Sequence, residues 1–437
     1  MLALPTGPFH HLVRQTRRPY HAGLSRKAIS MTRAQTKAGL WLIGAAGNVA
    51  STVALGLAAL QRRRIATTGL VTELPALHPA GLPPMDTFAL GGHEIRSATI
   101  LQTLRDLRDE ANMFRDDLLR ACAPSLRAFQ RNIRPGTTFG TNTPKGNERI
   151  PPDETAEQAV ARLTEDLLRF RKRHRLEHVV VINLSSSEPR PKVRSIPRDT
   201  ASLRKALRRR SGSPVPPSAL YALAAVEAGC AYVNFTPSVG IDLPVLRRHA
   251  EARGVPYAGN DGKTGETLVK SALAPMFTLR NLRVLSWAGQ NLLGNRDGRT
   301  LREARTRAAK VRSKEQVIRH LLPPGAEART GIEYVASLGD WKIAWDHVHF
   351  EGFLGTKMRL QFCWEGCDSA LAAPLVIDLA RLAILALRRE ERGPLKHLAF
   401  FFKDPIGTTP HDLVSQWQAL VAHVAQTTAR RSRRSRR

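Results

Sequence analysis

The chain has 437 residues, 42% of them apolar, with 67 lysines and arginines against 37 acids and a formal net charge of +30. That apolar share supports a sizeable core and excludes wholesale disorder, and the length accommodates two domains or one elaborated one. The charge is concentrated at the ends: the first acid is Glu73, and the chain finishes ARRSRRSRR. No aromatic-rich basic module accompanies these runs, so nucleic acid is expected only as a non-specific partner of the tails. Four scattered cysteines suggest a reducing, cytoplasmic compartment, and Cys363 and Cys367 lack a second Cys or His pair for zinc.

Residues 1–38 read as a basic, disordered extension, either transit-peptide-like or preceding a start at Met31. Leu40 to Leu60 carries no charge and is long enough for a membrane helix. Its small, polar middle (Gly44 to Thr52) favours another parse: strand Leu40–Ile43, glycine turn Gly44–Ala50, helix Ser51–Leu60. That order offers turn N–H groups to a pyrophosphate at a helix N-terminus, against the alternative of a buried structural turn. No second comparable run argues for a membrane protein.

Helical spacing covers Ile100 to Phe129, and Arg134 to Pro152 is a Gly/Pro/Thr/Asn loop. Asp153 to Arg175 is amphipathic, with acids early and bases late, which suits the helix dipole. HVVVINL (His178 to Leu184) reads as a buried strand, followed by Ser185-Ser186-Ser187-Glu188 and a basic excursion from Arg190 to Pro217. Ser218 is the expected N-cap of a helix over Ala219–Ala228. Ala231–Phe235 and Val255–Ala258 are strands flanking a helix at Leu243–Arg253. Such alternation means a parallel α/β sheet.

The rhythm then changes: helix Thr267–Phe277, strand Arg283–Gln290, charged helix Leu301–Arg312, and isolated strands near Glu333–Ser337 and Lys357–Trp364. Asp368–Arg389 is a long apolar helix and His397–Phe402 a strand. The expected fold is α/β: a Rossmann-like domain from 39–260 and 365–425, an α+β catalytic and oligomerisation domain inserted at 261–364, and a disordered Arg-rich tail at 426–437.

Four polar clusters follow strands: the Gly44 turn, Ser185–Glu188, GNDGKTG (Gly259–Gly265) and Lys403. GNDGKTG fails as an ATPase phosphate loop, because the required glycine position holds Tyr257. GxSxG, HExxH and paired CxxC motifs are absent, which weakens hydrolase readings. A dinucleotide turn with lysines near polar loops (Lys263, Lys314, Lys342, Lys403) remains. Such lysines hold phosphate, shuttle hydroxyl protons or stabilise enolates; Lys263, near Asp261, and Lys403, before Asp404, stand out from solvated surface lysines.

At these residues the sequence resembles the inositol-3-phosphate synthase (myo-inositol-1-phosphate synthase) family, and most closely its bacterial branch. The resemblance spans about Leu40 to Gly407 through LIGAAGNVAST, LGGHEIRS, VINLSSSEP, GVPYAGNDGKTGETLVKSALAPMF, AGQNLLGNRDG, RSKEQVI, YVASLGDWKIAWD, EGFLGTKMRLQF, GCDSALAAPLVIDL and FFFKDP. It implies isomerisation of glucose 6-phosphate to an inositol phosphate with recycled NAD: oxidation at C5, enolisation at C6, aldol attack on C1 and re-reduction at C5. It also implies a homotetramer, and leaves a divalent cation open.

By resemblance, Gly44, Ala45, Ala46, Gly47, Asn48 and Val49 match the pyrophosphate loop, and Glu94 a carboxylate near the adenine ribose. Ser185, Ser186 and Ser187 match a nucleotide-contacting loop; Asp261, Asn295, Asp297 and Asp368 match positions around the nicotinamide and its ribose. Lys263, Lys314, Lys342 and Lys403 match active-site lysines, Thr264 a hydroxyl beside the phosphate, and Asp340 an acid that orients Lys342. Ala46 and Ala50 stand where the family usually has glycine, and Thr264 where serine is common. Ile318 stands where a further lysine is often found, which would shift its work to Lys357, Arg312 or a metal ion. That leaves two alternatives, a relative that cyclises another sugar phosphate and a polyanion-binding protein.

Overall fold

The computed structural model describes residues 37–138, 154–189, 191, 196–209, 214–294, 311, 322, 325–407 and 411–434, with side chains to 425. The strands are β1 (Ala38–Ile43), β2 (Phe88–Glu94), β3 (Ile133–Pro135), β4 (His178–Asn183), β5 (Ala231–Asn234), β6 (Pro256–Gly259), β7 (Arg283–Leu293), β8 (Glu327–Tyr334), β9 (Trp341–Glu351), β10 (Lys357–Cys367) and β11 (Gly393–Pro394). The helices are α1 (Asn48–Gln61), α2 (Ile100–Ala111), α3 (Asp116–Arg131), α4 (Ala156–Arg173), α5 (Thr200–Leu207), α6 (Pro217–Glu227), α7 (Pro244–Ala252), α8 (Gly265–Leu279), α9 (Asp368–Arg388) and α10 (Leu413–Arg434).

Seven strands form a parallel sheet in the order β11-β6-β5-β4-β1-β2-β3. Order reverses between β1 and β4, so a crevice for ligands opens beyond their carboxyl ends. One sheet face packs on α1, α2, α3, α9 and α10, the other on α4 to α7. Strands covered on both faces need no alternation, which explains the continuous apolar run of β4. The uncharged Leu40–Leu60 segment is therefore strand, turn and helix. Helix α9 has the length and composition of a membrane span, but it is mostly buried in this core and carries the buried Asp378, which accepts from Val71 N at 2.7 Å and Thr72 N at 3.0 Å.

Several expected elements differ. Ile100–Phe129 is two helices, broken where Asn112 adopts a left-handed conformation. Thr155 and Gln158 form a capping box that starts α4 three residues later than Asp153. Ser218 lies inside α6, whose first turn begins with Pro217. The segment around His397 is a 3-10 helix (Lys396–Phe401), not a strand. The strands after residue 283 are not isolated: β10-β9-β7-β8 make a second sheet, with β9 antiparallel to both neighbours. Helix α8 covers part of it through Ala274, Phe277, Trp287 and Val348. Buried Lys270 of α8 lies 2.5 Å from Glu266 and 3.1 Å from Asp346, whose carboxylate also accepts from Trp287 Nε1 at 2.8 Å. Helix α10 runs to Arg434, into the stretch expected as tail, because its Ala- and Arg-rich sequence sustains the helix after Leu420 and Val424 dock on the core. The extension before residue 37 and most of Leu301–Arg312 lie outside the described residues.

Strand β2 lacks a strand-like sequence (FALGGHE) because its neighbours leave no room for side chains. A Cβ on Gly91 would fall 2.5 Å from the Trp41 ring, and one on Gly92 would fall 2.4 Å from the Leu42 carbonyl oxygen. Since the Leu42 contact is backbone, Gly92→Ala is expected to destabilise by about 1–3 kcal/mol, measurable as a lowered denaturant midpoint with unchanged slope.

Candidate active site

The first turn is built by β1 and α1. Gly44 has φ +78, and a Cβ there would crowd the Leu184 carbonyl and Ser185 Cα, each at 3.2 Å. Its N–H donates to the His93 carbonyl at 2.9 Å. Helix α1 starts at Asn48 behind Gly47, with no side-chain cap and no acid in its first turn. The N–H groups at its amino end therefore meet no acid from the helix itself, an arrangement that fits a pyrophosphate. Ala45 and Ala46 are fully buried but small, so the turn keeps its tight course without glycine there.

The Ser185–Ser187 loop lies against this turn. Ser185 donates through N and Oγ to Asn183 Oδ1, at 3.2 and 2.8 Å. Glu94 closes the other side, in a different manner from the expected one. Its carboxylate accepts from Ala46 N (2.8 Å), Ile95 N (2.9 Å), Arg96 N (3.1 Å) and the Arg96 guanidinium (3.1 Å to each oxygen). Its lone pairs are thus committed to the protein, and Glu94 shapes the turn.

A second cluster follows β6. Residues 259–263 run beside 401–406, so that Lys403 Nζ reaches Asp261 Oδ1 at 2.9 Å. Asp261 and Lys263 are each only 4% exposed. Lys263 Nζ donates to Gln416 Oε1 of α10, and burial pushes its ammonium down to about 8, against the pull of Asp412. Thr264 stands at the amino end of α8.

A third cluster stands where β9 and α9 begin. Lys342 pairs with Asp368. The acid expected to orient Lys342 does something else: Asp340 accepts from Asn48 Nδ2 at 3.0 Å and Ser369 N at 2.8 Å. It is 1% exposed, and burial followed by the Asp368 charge raises its carboxyl above the ordinary range. The Asn48–Asp340 bond ties the dinucleotide turn to the second sheet. Trp364 links the other two clusters: a Cβ on Gly265 or on Gly366, the register partner of Lys342, would fall 2.7 or 2.3 Å from its ring.

Lys357 is not brought here. It is exposed and opens β10 opposite Glu351, nine residues along the ladder from the Lys342–Gly366 pair, roughly 30 Å away. Asn295, Asp297, Lys314, Arg312 and Ile318 lie outside the described residues.

Sequence reasoning passed over two features. One is an asparagine ladder across strand ends: Asn183 Nδ2 donates to Asn234 Oδ1 at 3.1 Å, and Asn234 Nδ2 to Asn260 Oδ1 at 2.8 Å. Its signal was an asparagine closing or following three successive apolar strands. The other is Gln416 with Asp412, which nothing local in the sequence marks. Asp412 accepts from Ser415 N at 2.8 Å at the start of α10. Asp412→Asn preserves that cap and removes a charge that raises the Lys263 value. The Lys263 midpoint, near 8 in the parent, is expected to fall in the variant, as read by NMR titration of its ε-carbon.

Comparison with known proteins places this geometry. The chain is 29% identical over 409 residues to inositol-3-phosphate synthase 1 of Bacteroides thetaiotaomicron, covering 87% of this chain and 93% of that protein. Its fold is similar to the crystal structure of inositol-3-phosphate synthase from Caenorhabditis elegans (TM-score 0.81, 24% identity, 90% of this chain and 86% of that one). It is also similar in fold to a myo-inositol-1-phosphate synthase-related protein from Thermotoga maritima (TM-score 0.69, 21% identity, 89% and 98% coverage). A family model described as Myo-inositol-1-phosphate synthase matches residues 38–424, nearly the whole chain, and the chain belongs to that family of NAD-binding enzymes.

Proposed function

We propose that the chain is an inositol-3-phosphate synthase, converting glucose 6-phosphate to 1D-myo-inositol 3-phosphate. The observation that carries this reading is the Lys403–Asp261 ion pair beside buried Lys263, at the carboxyl ends of the strands that also bear the Gly44 turn. Gly44 to Val49, Ser185 to Ser187, Asp261 and Asp368 would hold NAD, joined on sequence grounds by Asn295 and Asp297. Once bound there, NAD would supply the oxidising power for C5 and the hydride for its later reduction.

The protein's own groups do the rest. Lys403, paired with and oriented by Asp261, faces the C5 oxygen. With a ketone at C5, the C6 proton becomes acidic; its removal places negative charge on the C5 oxygen, and Lys403 shelters that charge. The C6–C1 bond then forms, and the C1 oxygen takes a proton. Lys263 exchanges protons close to neutrality, because burial makes its ammonium a far stronger acid than a solvated lysine. Lys342 with Asp368, and Lys314 on sequence grounds, meet the second oxyanion. Thr264 and the amino end of α8 hold the phosphate.

The division into a dinucleotide-binding body and a catalytic, tetramer-forming insertion at 261–364 belongs to the same proposal, supported by the exposed Trp341, Trp345 and Met358 on the second sheet. So do a cytoplasmic setting and a product destined for phospholipid biosynthesis. Ile318, where the family often has lysine, favours one alternative: a relative that cyclises another sugar phosphate.

Incubation with NAD⁺ and glucose 6-phosphate is expected to yield a phosphorylated cyclitol with no net NADH. NADH accumulating in proportion to product would instead mark a plain dehydrogenase, and turnover only with another sugar phosphate would favour the alternative. Lys403→Ala is expected to lower turnover by about 10²–10⁴-fold with NAD affinity unchanged, measured by steady-state kinetics beside calorimetry.

A further inference from the structure

Away from these clusters, three donor groups meet where the end of the chain packs onto the body. Glu391 follows α9, His397 lies in the 3-10 helix at Lys396–Phe401, and His423 is on α10. One ligand atom from each lies within 4.8 Å of the others. His423 Nε2 is 3.1 Å from Glu391 Oε1, and the two imidazoles stack at 3.5 Å between centroids with their planes 7° apart.

We propose that Glu391, His397 and His423 form a binding site for a divalent cation of the zinc type, which fastens α10 to the body of the protein. The donor chemistry supports it. Two imidazoles and one carboxylate suit zinc and its transition-metal neighbours better than magnesium or calcium, which prefer all-oxygen shells. Metal binding requires neutral imidazole and ionised carboxylate. Burial, then the neighbouring His423, pushes His397 down to about 4, so its ring is neutral at physiological pH with a lone pair available. Burial opposes the Glu391 charge, but the His423 hydrogen bond and the positive charges around it hold the carboxyl below its ordinary range, and the proton on that hydrogen-bonded His423 nitrogen leaves when an ion enters. The third nearby charge is Arg389, whose guanidinium donates to the Ala80 carbonyl at 3.0 Å.

Tetrahedral zinc with ligands at 2.0–2.1 Å holds its donors about 3.3 Å apart. The cluster must therefore close by about 1–2 Å and one imidazole must turn out of the stack so that both in-plane lone pairs converge, a change that half-buried side chains make by rotation, and water completes the shell. The three donors come from three segments, so closure over an ion cross-links them. His423 lies seven residues after Gln416, two turns along the same face of α10 and about 10 Å away. An ion here would thus fix the helix that delivers Gln416 to Lys263. The site uses none of the residues proposed to bind NAD or sugar phosphate, so its failure would leave the proposed reaction untouched.

The test uses the full-length protein, stripped with chelator and then titrated with Zn²⁺ by calorimetry and with Co²⁺ by absorption. The parent is expected to bind one equivalent that Glu391→Gln and His423→Gln each lose, with affinity falling by more than the ~10-fold that removal of an outer partner produces. Zn²⁺ should raise the melting temperature of the parent and not that of the variants, while the metal-free proteins melt together. Equal zinc stoichiometry in parent and variants, or equal zinc-induced stabilisation, would overturn the proposal. If one variant melts early without metal, the other decides.

Discussion

The site rests on a short backbone ladder between segments about 140 residues apart. Asn260 N donates to the Asp404 carbonyl, Asp404 N to Asn260, Lys403 N to Asp261, Lys263 N to Phe401 and Ile406 N to Gly259, at 2.7 to 3.2 Å. These bonds satisfy backbone groups of two largely buried loops. They also fix Lys403 against Asp261, so the ion pair follows from the strand ends rather than from a search by flexible side chains. A one-residue slip in either segment would leave both the amides and the charges unpaired.

Burial gives the clusters different electrostatic characters. Lys263 has an amide oxygen as its hydrogen-bond partner and is displaced towards neutrality. Lys403 and Lys342 each face a carboxylate. Asp340 has a raised affinity for its proton and holds an amide from the dinucleotide turn. One crevice thus contains two lysines paired with carboxylates and one that readily gives up its proton, an arrangement suited to a reaction that creates and discharges oxyanions in turn.

The parallel sheet was legible where strands are covered on both faces, because burial on both sides writes itself as an unbroken apolar run, as in HVVVIN. The Gly44 turn and the lysines after β6 and before Asp404 were legible because each closes such a run or adjoins one. What escaped did so for tertiary reasons. β2 lacks an apolar run because the Trp41 ring and the Leu42 carbonyl occupy the space of the side chains that Gly91 and Gly92 lack. β9 carries charges and aromatics in mixed order because only part of its sheet is covered. The pairing of Lys342 with Asp368 instead of Asp340 depends on where α9 begins relative to β9, a distance in space that no spacing encodes. Gln416 was illegible for the same reason: its partner is 153 residues away.

The position of α10 sets an order of events during synthesis. The glycine turn, the asparagine ladder and Lys263 all leave the ribosome well before residues 412–424 do. Until that helix docks, Lys263 lacks its Gln416 partner and the cover α10 provides, and its ammonium remains closer to an ordinary solvated amine. A nascent chain thus carries the glycine turn and the asparagines early, yet its lysine acquires its tuned acidity only when the last helix arrives.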